Sequence, residues 1–156
     1  MPFRIAGLPY APFEPYFALN EEALRASAAR IWTVENKPGY PCVVSLADAE
    51  PGERLLVANF AHLSENTPFQ SSNAVYVREH AVQADLEPNE VPEMLSIRLL
   101  AARSFDTEHM LVAADVMEGA DLAAGIERMF EDEAAAYIHI HLARPGCYAA
   151  KAIRWS

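Results

Sequence analysis

Apolar and polar positions alternate most regularly near the end of the chain. Over residues 137–142 every second side chain is isoleucine or leucine, and the side chains between them are a tyrosine and two histidines. Successive side chains of a β-strand point to opposite faces of a sheet, so this pattern predicts a strand with one apolar and one polar face. A Pro-Gly turn at residues 144–146 then leads to a returning strand over 148–155.

Other segments rich in β-branched and aliphatic residues predict further strands. They cover residues 42–46, 54–60, 74–78 and 110–116, together with a strand that ends at Phe105. The run over 94–105 also has helical spacing. We favour a helical turn near 92–96 followed by the strand, since residues 106–109 then form a hairpin turn.

Helical spacing of apolar residues predicts two helices. The first covers about 20–30 with Asn20 as its N-cap, and the second covers about 120–132. Residues 1–19 carry many prolines, which block regular hydrogen-bonded structure and predict an extended arm. Together these elements predict an α+β fold with a mainly antiparallel sheet of seven to eight short strands and two or three helices. We expect a single domain over 1–156.

The composition indicates a folded, soluble chain with an acidic surface. Of its 156 residues, 52% are hydrophobic and 22% are charged, and the formal net charge is −10. Such a surface repels phosphate backbones and anionic lipids, so we expect neither nucleic acid nor a membrane as partner. No apolar run is typical of a signal peptide or a membrane span. We therefore expect a cytoplasmic protein with reduced cysteines.

Reactive side chains gather around the turn at residues 144–146. His139 and His141 precede the turn, and Cys147 follows it. Arg144 could stabilise a thiolate and either histidine could act as its base, which makes Cys147, His141 and Arg144 a candidate catalytic set. The alternative is that Cys147 packs as a small buried hydrophobic residue. No nucleophile signature of a known thiol enzyme is present, so enzymatic activity stays open.

The two strand histidines are also a candidate chelating pair. His139 and His141 would lie on one strand face, about 6.5–7 Å apart along it. Cys42, Cys147 or His62 could complete a tetrahedral set if the fold brings one of them close. No carboxylate follows the pair closely and no Cys-X-X-Cys is present, so the spacing permits a metal without specifying one. The alternative is a polar or interface face of the sheet, and we assign no metal ligand and no cofactor.

A second segment, Lys37-Pro-Gly-Tyr-Pro-Cys42, repeats the combination of a cation, Pro-Gly, an aromatic residue and a cysteine. Glycine frees backbone N–H groups beside the cation, which suits a carboxylate or phosphate ligand. No glycine-rich nucleotide loop is present, so nucleotide cofactors are not indicated. The candidate ligand-binding residues are Lys37, Tyr40, Cys42, Arg78, His139 and Tyr148.

Several short blocks carry a resemblance to a known family. They are Lys37-Pro-Gly-Tyr-Pro-Cys42, Ser45-Leu46, Asp48-Ala49, Pro51-Gly-Glu53, Val77-Arg78-Glu79 and Ala143-Arg-Pro-Gly-Cys-Tyr148. Over nearly its whole length the chain resembles an uncharacterised bacterial family, catalogued as domain of unknown function twelve hundred and three. Its members often have Arg after the first cysteine and Asn before the last block, where this chain has Val43 and Leu142. The resemblance implies one complete domain of bacterial type and carries no activity.

The favoured hypothesis is a small-molecule pocket formed by the Arg144–Tyr148 turn and the strand that carries His139 and His141. The alternative is a non-catalytic structural or interaction module. In that case we expect a homo-oligomer in which Tyr137 and the two histidines lie on a buried face.

Overall fold

A computed structural model describes residues 2–156 as two antiparallel sheets with three α-helices. The elements in chain order are β1 (Phe3–Ala6), α1 (Glu21–Ala26), β2 (Ala29–Thr33), β3 (Arg54–Leu63), β4 (Ser71–Arg78), α2 (Glu93–Ser96), β5 (Leu99–Phe105), β6 (Leu111–Glu118), α3 (Leu122–Phe130), β7 (Tyr137–Leu142) and β8 (Tyr148–Arg154). The predicted α+β class and mainly antiparallel pairing are confirmed. Within residues 2–156, no helix is both long and apolar enough to cross a membrane.

The strand β7 lies at the centre of the larger sheet, whose strand order is β1-β8-β7-β5-β6. Its isoleucines Ile138 and Ile140 are fully buried in one core cluster with Leu122 and Ile126 of α3. The smaller sheet has the order β2-β3-β4. The polar face of β7 is turned toward this smaller sheet, because its histidines contact a side chain of β3.

Several predicted elements agree closely with the structure. The bounds of β7 are those predicted from its alternation, β5 and β6 pair as the predicted hairpin, and α2 and α3 lie where helical spacing placed them. Asn20 caps α1 as expected, since its side-chain oxygen accepts a hydrogen bond from the Ala23 N–H at 2.9 Å. These elements are defined by local periodicity and capping, which the sequence displays directly.

The predicted strand over 42–46 is wrong. These residues form a turn in which the Leu46 N–H donates to the Cys42 carbonyl at 3.0 Å, and Leu46 has a positive φ of 53°. Val43 and Val44 are buried against the smaller sheet. The apolar run therefore reflects burial of a loop, which periodicity alone does not distinguish from a short strand.

The first 33 residues contain two strands that were not predicted, β1 and β2. The first helix ends at Ala26 rather than near residue 30, because the chain reverses through Ala28 with φ 53° and enters β2. The expected arm includes β1, an edge strand paired with β8. No proline lies inside β1, so its hydrogen-bond ladder is intact. The arm prediction also covers residue 1, which lies outside the described residues.

A buried ion pair fastens the loop before β3 to α2. The Asp48 side chain is 6% exposed, and the Arg98 guanidinium donates to its two oxygens at 2.6 and 3.1 Å. The same guanidinium donates to the Met94 carbonyl at 2.7 Å. Both ions are thus largely removed from water and satisfied by each other.

Candidate functional site

Three imidazoles meet between the two sheets. His62 comes from the end of β3, and His139 and His141 come from β7. A ring nitrogen of each lies within 4.8 Å of a ring nitrogen of the other two, and the Nδ1 atoms of His62 and His139 are 3.2 Å apart. His139 and His141 share a face because they are two residues apart on one strand, and the packing of the sheets supplies His62.

The His141 imidazole has one satisfied nitrogen and one free nitrogen. Its Nδ1 lies 3.1 Å from the Gly146 carbonyl, which can only accept, so Nδ1 carries the proton. Nε2 therefore presents a lone pair. Among residues 2–156, it is the one buried side-chain nitrogen or oxygen without a hydrogen-bond partner. A buried polar atom left unsatisfied is rare and marks a strained or functional position.

The His62 ring is oriented in the same way by Asn73. Its Nε2 donates to the Asn73 side-chain oxygen at 2.8 Å, which leaves Nδ1 as an acceptor. That Nδ1 faces His139 Nδ1, so the short contact between the two rings is a hydrogen bond in which His139 donates. His62 Nδ1 and His141 Nε2 are thus the proton-free nitrogens of their rings, and His139 supplies one exchangeable N–H.

Aromatic rings hold the imidazoles in place. Tyr148 stacks on His62 with ring centroids 4.8 Å apart and an interplanar angle of 10°, and it meets the other two imidazoles edge-on. His139 and His141 are only 4% and 2% exposed. The polar face of β7 is thus covered by the chain's own second sheet and by Tyr148, and no second copy is needed to bury it.

Burial keeps the three imidazoles neutral. It lowers the pKa of His139 to about 3, with His62 and the Lys151 ammonium adding to the effect. It lowers the pKa of His141 to about 4 and also lowers that of the half-buried His62. At neutral pH each ring is therefore uncharged, which is the form that coordinates metal ions.

A cavity of about 280 Å³ opens beside the imidazoles. It is lined by His62, Pro68, Phe69, Gln70, Ser71, Arg103, Phe105, Leu111 and His141. Four of these residues are apolar, none is acidic, and Arg103 supplies the only charged side chain among them. The cluster is therefore reachable from a pocket of small-molecule size rather than sealed in the core.

The predicted contact between the Cys147 thiol and the His141 imidazole is not formed in the structure. The Cys147 thiol donates to the Tyr76 hydroxyl at 3.8 Å, whereas His141 bonds to the Gly146 carbonyl. Burial, together with the neighbouring Cys147, raises the pKa of Tyr76 to about 12, so Tyr76 is a protonated phenol. Cys147 belongs to the main hydrophobic core, as the alternative interpretation of this residue describes.

Both thiols are expected to resist alkylation in the native protein. Cys42 is fully buried and Cys147 is 5% exposed, so iodoacetamide reaches either only when the chain opens. We expect native labelling at least about 100-fold slower than labelling in denaturant, since opening is rare in a folded core. Mass spectrometry of time points measures both rates. Rapid native labelling of Cys147 would instead support the thiol hypothesis.

The candidate ligand residues outside β7 are mostly engaged in structural contacts. Lys37 forms an ion pair with Glu50, and Arg78 donates to Glu53 at 2.9–3.1 Å. The remaining contacts are as follows: Tyr40 packs edge-on against Tyr76, and the Cys42 sulfur accepts from the backbone N–H groups of Ser45 and Arg78 at 3.5 and 3.4 Å. These residues brace the loop before β3.

The two Pro-Gly segments converge on a second cavity, of about 230 Å³. Gly39 of the first segment and Pro145 of the second line it, together with Tyr76 and Arg144. Within residues 2–156, no ion pair or hydrogen bond engages the Arg144 guanidinium. This cavity borders the predicted turn, but His139 and His141 do not line it, and it shares no lining residue with the cavity at the imidazoles.

From the sequence, His62 is one of three residues that could complete a metal set, and Asn73 and Arg103 are not among the candidate site residues. A signal for His62 was present, because the apolar pattern of β3 continues to Leu63, three residues beyond the predicted end of the strand. Asn73 lies near the start of β4, just before the strand predicted over 74–78. No local pattern shows that these residues face β7.

Comparison with known proteins assigns the chain to a family but gives it no activity. A family model described as a protein of unknown function (DUF1203) matches residues 39–154, which include the three histidines of the site. No curated protein and no solved structure gives a significant match.

Proposed function

Since the chain belongs to the DUF1203 family, whose function is unknown, we propose a function from its own geometry: it binds a divalent transition-metal ion through His62, His139 and His141. A fourth coordination position would face the cavity of about 280 Å³. The observation that carries the proposal is the buried His141 Nε2, which has no hydrogen-bond partner and belongs to a ring of the three-imidazole cluster.

The ring spacing suits a tetrahedral ion. Nitrogen ligands bind zinc at about 2.0–2.1 Å, which puts two ligand nitrogens about 3.3 Å apart. The Nδ1 atoms of His62 and His139 are 3.2 Å apart, and His139 would coordinate through Nδ1 once its ring proton moves to Nε2. The largest spacing within the set is 4.8 Å, so one ring must move inward by about 1.5 Å to complete the site. His62 is the least buried of the three rings and lies on the cavity wall, so we assign the movement to this ring.

Hydrogen bonds to the non-ligand nitrogens support the same conclusion. Metal-bound histidines usually donate their other ring N–H to a carbonyl or a carboxylate, which fixes the tautomer and the ring plane. His141 does this through the Gly146 carbonyl, and His62 through Asn73. An all-imidazole donor set suits Zn²⁺, Cu²⁺, Ni²⁺ or Fe²⁺ and disfavours Mg²⁺ and Ca²⁺, which prefer oxygen ligands.

Three ligands and an open position suit exchange of a small molecule at the metal. Structural zinc sites are closed by four protein ligands, whereas sites with three protein ligands keep the fourth position for water or substrate. The cavity gives that position an outlet. We therefore propose the small-molecule pocket at the cavity lined by His62 and His141 rather than at the Arg144–Tyr148 turn.

Zinc titration tests the proposal directly. After removal of metal with a chelator, calorimetry is expected to show one Zn²⁺ bound per chain. A zinc concentration 1,000-fold above Kd stabilises the folded chain by about 4 kcal/mol, which raises the unfolding midpoint by about 8–16 °C. Mg²⁺ should produce no shift, and visible absorption of the Co²⁺ form should be that of a tetrahedral ion. Protein that takes up no zinc and shows no shift would refute the metal site.

The Arg144 cavity stays as a second candidate ligand site. Its supporting observation is that Arg144 has no partner within the described residues and lies beside Gly39 and Tyr76. A cytoplasmic, bacterial protein is also proposed, supported by the family resemblance and by the two free cysteines. Assembly into a homo-oligomer stays a prediction.

A further inference from the structure

We infer that the cavity beside the three imidazoles binds a small carboxylate with an apolar body, held by Arg103. This inference rests on the metal site proposed above for the ligand's second anchoring point.

Two cations flank the central imidazole on the floor of the site. In the sheet, His139 lies directly opposite Arg103 of β5 on one side and directly opposite Lys151 of β8 on the other. Residues directly opposite each other in antiparallel strands share a face, so both cations lie on the imidazole side of the sheet. They also act on the imidazoles: Arg103 lowers the pKa of all three histidines, and Lys151 lowers that of His139. In a chain with a net charge of −10, this is a local positive field.

The Arg103 guanidinium is available to a ligand. Within residues 2–156, no carboxylate pairs with it and no hydrogen bond engages it. Other arginines of the chain are paired, such as Arg78 with Glu53 and Arg98 with Asp48. An exposed guanidinium with five donors at the wall of a cavity suits a planar two-oxygen anion, which it can bind through two parallel hydrogen bonds.

A metal at the imidazoles would add to the attraction for an anion. Three neutral rings leave the full charge of a divalent ion uncompensated, and no acidic side chain lines the cavity. The fourth coordination position would therefore favour a negatively charged oxygen over a neutral one. A carboxylate between the metal and Arg103 satisfies both groups at once.

The walls of the cavity limit the size and the polarity of the rest of the ligand. The apolar lining residues are Pro68, Phe69, Phe105 and Leu111. A volume of about 280 Å³ is at the small end for ligand pockets, so the body is a single ring or a short branched chain. Aromatic walls favour a flat apolar group over a hydrated sugar or a second charge.

The polar side chains on the wall argue for a carboxylate rather than a phosphate. Gln70 Nε2 donates to the Glu65 carbonyl at 2.8 Å, and the Ser71 hydroxyl donates to the Phe69 carbonyl at 2.8 Å. The Ser71 hydroxyl and one of the two Gln70 N–H groups are thus already used, so few neutral donors on the wall remain for a ligand. The Arg103 guanidinium can satisfy the two oxygens of a carboxylate by itself, whereas a phosphate brings a third terminal oxygen that needs further donors.

Benzoate is a suitable probe, with benzamide as its uncharged counterpart and inorganic phosphate as the alternative anion. Binding is measured by calorimetry and by NMR on the zinc-loaded full chain. We expect benzoate to bind at least tenfold more tightly than benzamide and phosphate. We also expect Arg103→Gln to weaken benzoate binding about tenfold or more, since hydrogen bonds to a charged group contribute that much.

Arg144→Gln is the matched control, because it removes an unpaired guanidinium from the other cavity. We expect Arg144→Gln to leave the benzoate affinity unchanged. In Arg103→Gln we expect the zinc affinity to change little. Zinc uptake without benzoate binding overturns the ligand inference alone. Benzoate binding that depends on Arg103 in protein that takes up no zinc refutes the metal site and supports the anion pocket. Loss of benzoate binding in Arg144→Gln, or equal affinity for benzamide, overturns the inference.

Discussion

His62→Phe is expected to lower zinc affinity about 100- to 1,000-fold, because four-ligand zinc sites contribute about 10–16 kcal/mol and one ligand about a quarter of that. Phenylalanine keeps a ring of similar size against Tyr148, which stacks on His62 at 4.8 Å, so the loss reports the missing nitrogen rather than lost packing. Calorimetry with Zn²⁺ on chelator-treated protein provides the affinity. The unfolding midpoint without metal shows whether the variant is folded.

His80→Ala is the matched control for this experiment. His80 is exposed and contributes no nitrogen to the three-imidazole cluster, so zinc affinity should be unchanged. Asn73→Ala provides a graded case: it removes the acceptor that orients the His62 ring, and losses of about 10- to 100-fold are typical for such supporting contacts. Equal zinc affinity in the wild type and His62→Phe would contradict the assignment of His62 as a ligand.

Asp48→Ala is expected to destabilise the fold by about 3–5 kcal/mol, because it leaves the largely buried Arg98 guanidinium without its carboxylate. At about 2–4 °C per kcal/mol for a chain of this size, the unfolding midpoint should fall by about 6–20 °C. The loss of stability has two sources, the attraction lost between the two ions and the cost of leaving the Arg98 charge buried without a partner. Chemical and thermal denaturation measure the change in the free energy of unfolding.

Glu50→Ala is the matched control in the same loop. Glu50 pairs with Lys37 at the surface, where an ion pair contributes at most about 1 kcal/mol, so its loss should change stability little. The double variant Asp48→Ala/Arg98→Met should recover much of the lost stability, since it removes both buried charges. A drop for Glu50→Ala as large as that for Asp48→Ala would contradict the role given to burial.

The sequence determined most of the local secondary structure. Alternation gave the bounds and the two faces of β7, helical spacing gave α3, and the Asn20 cap marked the start of α1. These features depend on side-chain period and on hydrogen bonds a few residues apart, so the sequence displays them without knowledge of the fold. Residues 42–46 show the limit, because an apolar run is equally compatible with a buried loop.

The candidate site was only half visible in the sequence. The His139 and His141 pair follows from strand period, so its common face could be predicted. Which residue would join the pair could not, since His62 lies 77 positions from His139 and meets it only through the packing of two sheets. The sequence offered Cys42, Cys147 and His62 equally, and the structure brings only His62 to the imidazoles.

The tertiary structure also decided which charged groups are free. The sequence shows Lys37, Arg78, Arg103 and Arg144 as similar cations. In the fold the first two form ion pairs, whereas the last two have no carboxylate partner in the part of the chain that the structure describes. Whether a cation forms an ion pair depends on strand register and on loop contacts between distant segments. The exclusion of water at these contacts determines the free-energy cost of leaving a charge unpaired. Thus the sequence by itself determined the elements and the polar face of β7, and the packing of one sheet on the other decided what that face contains.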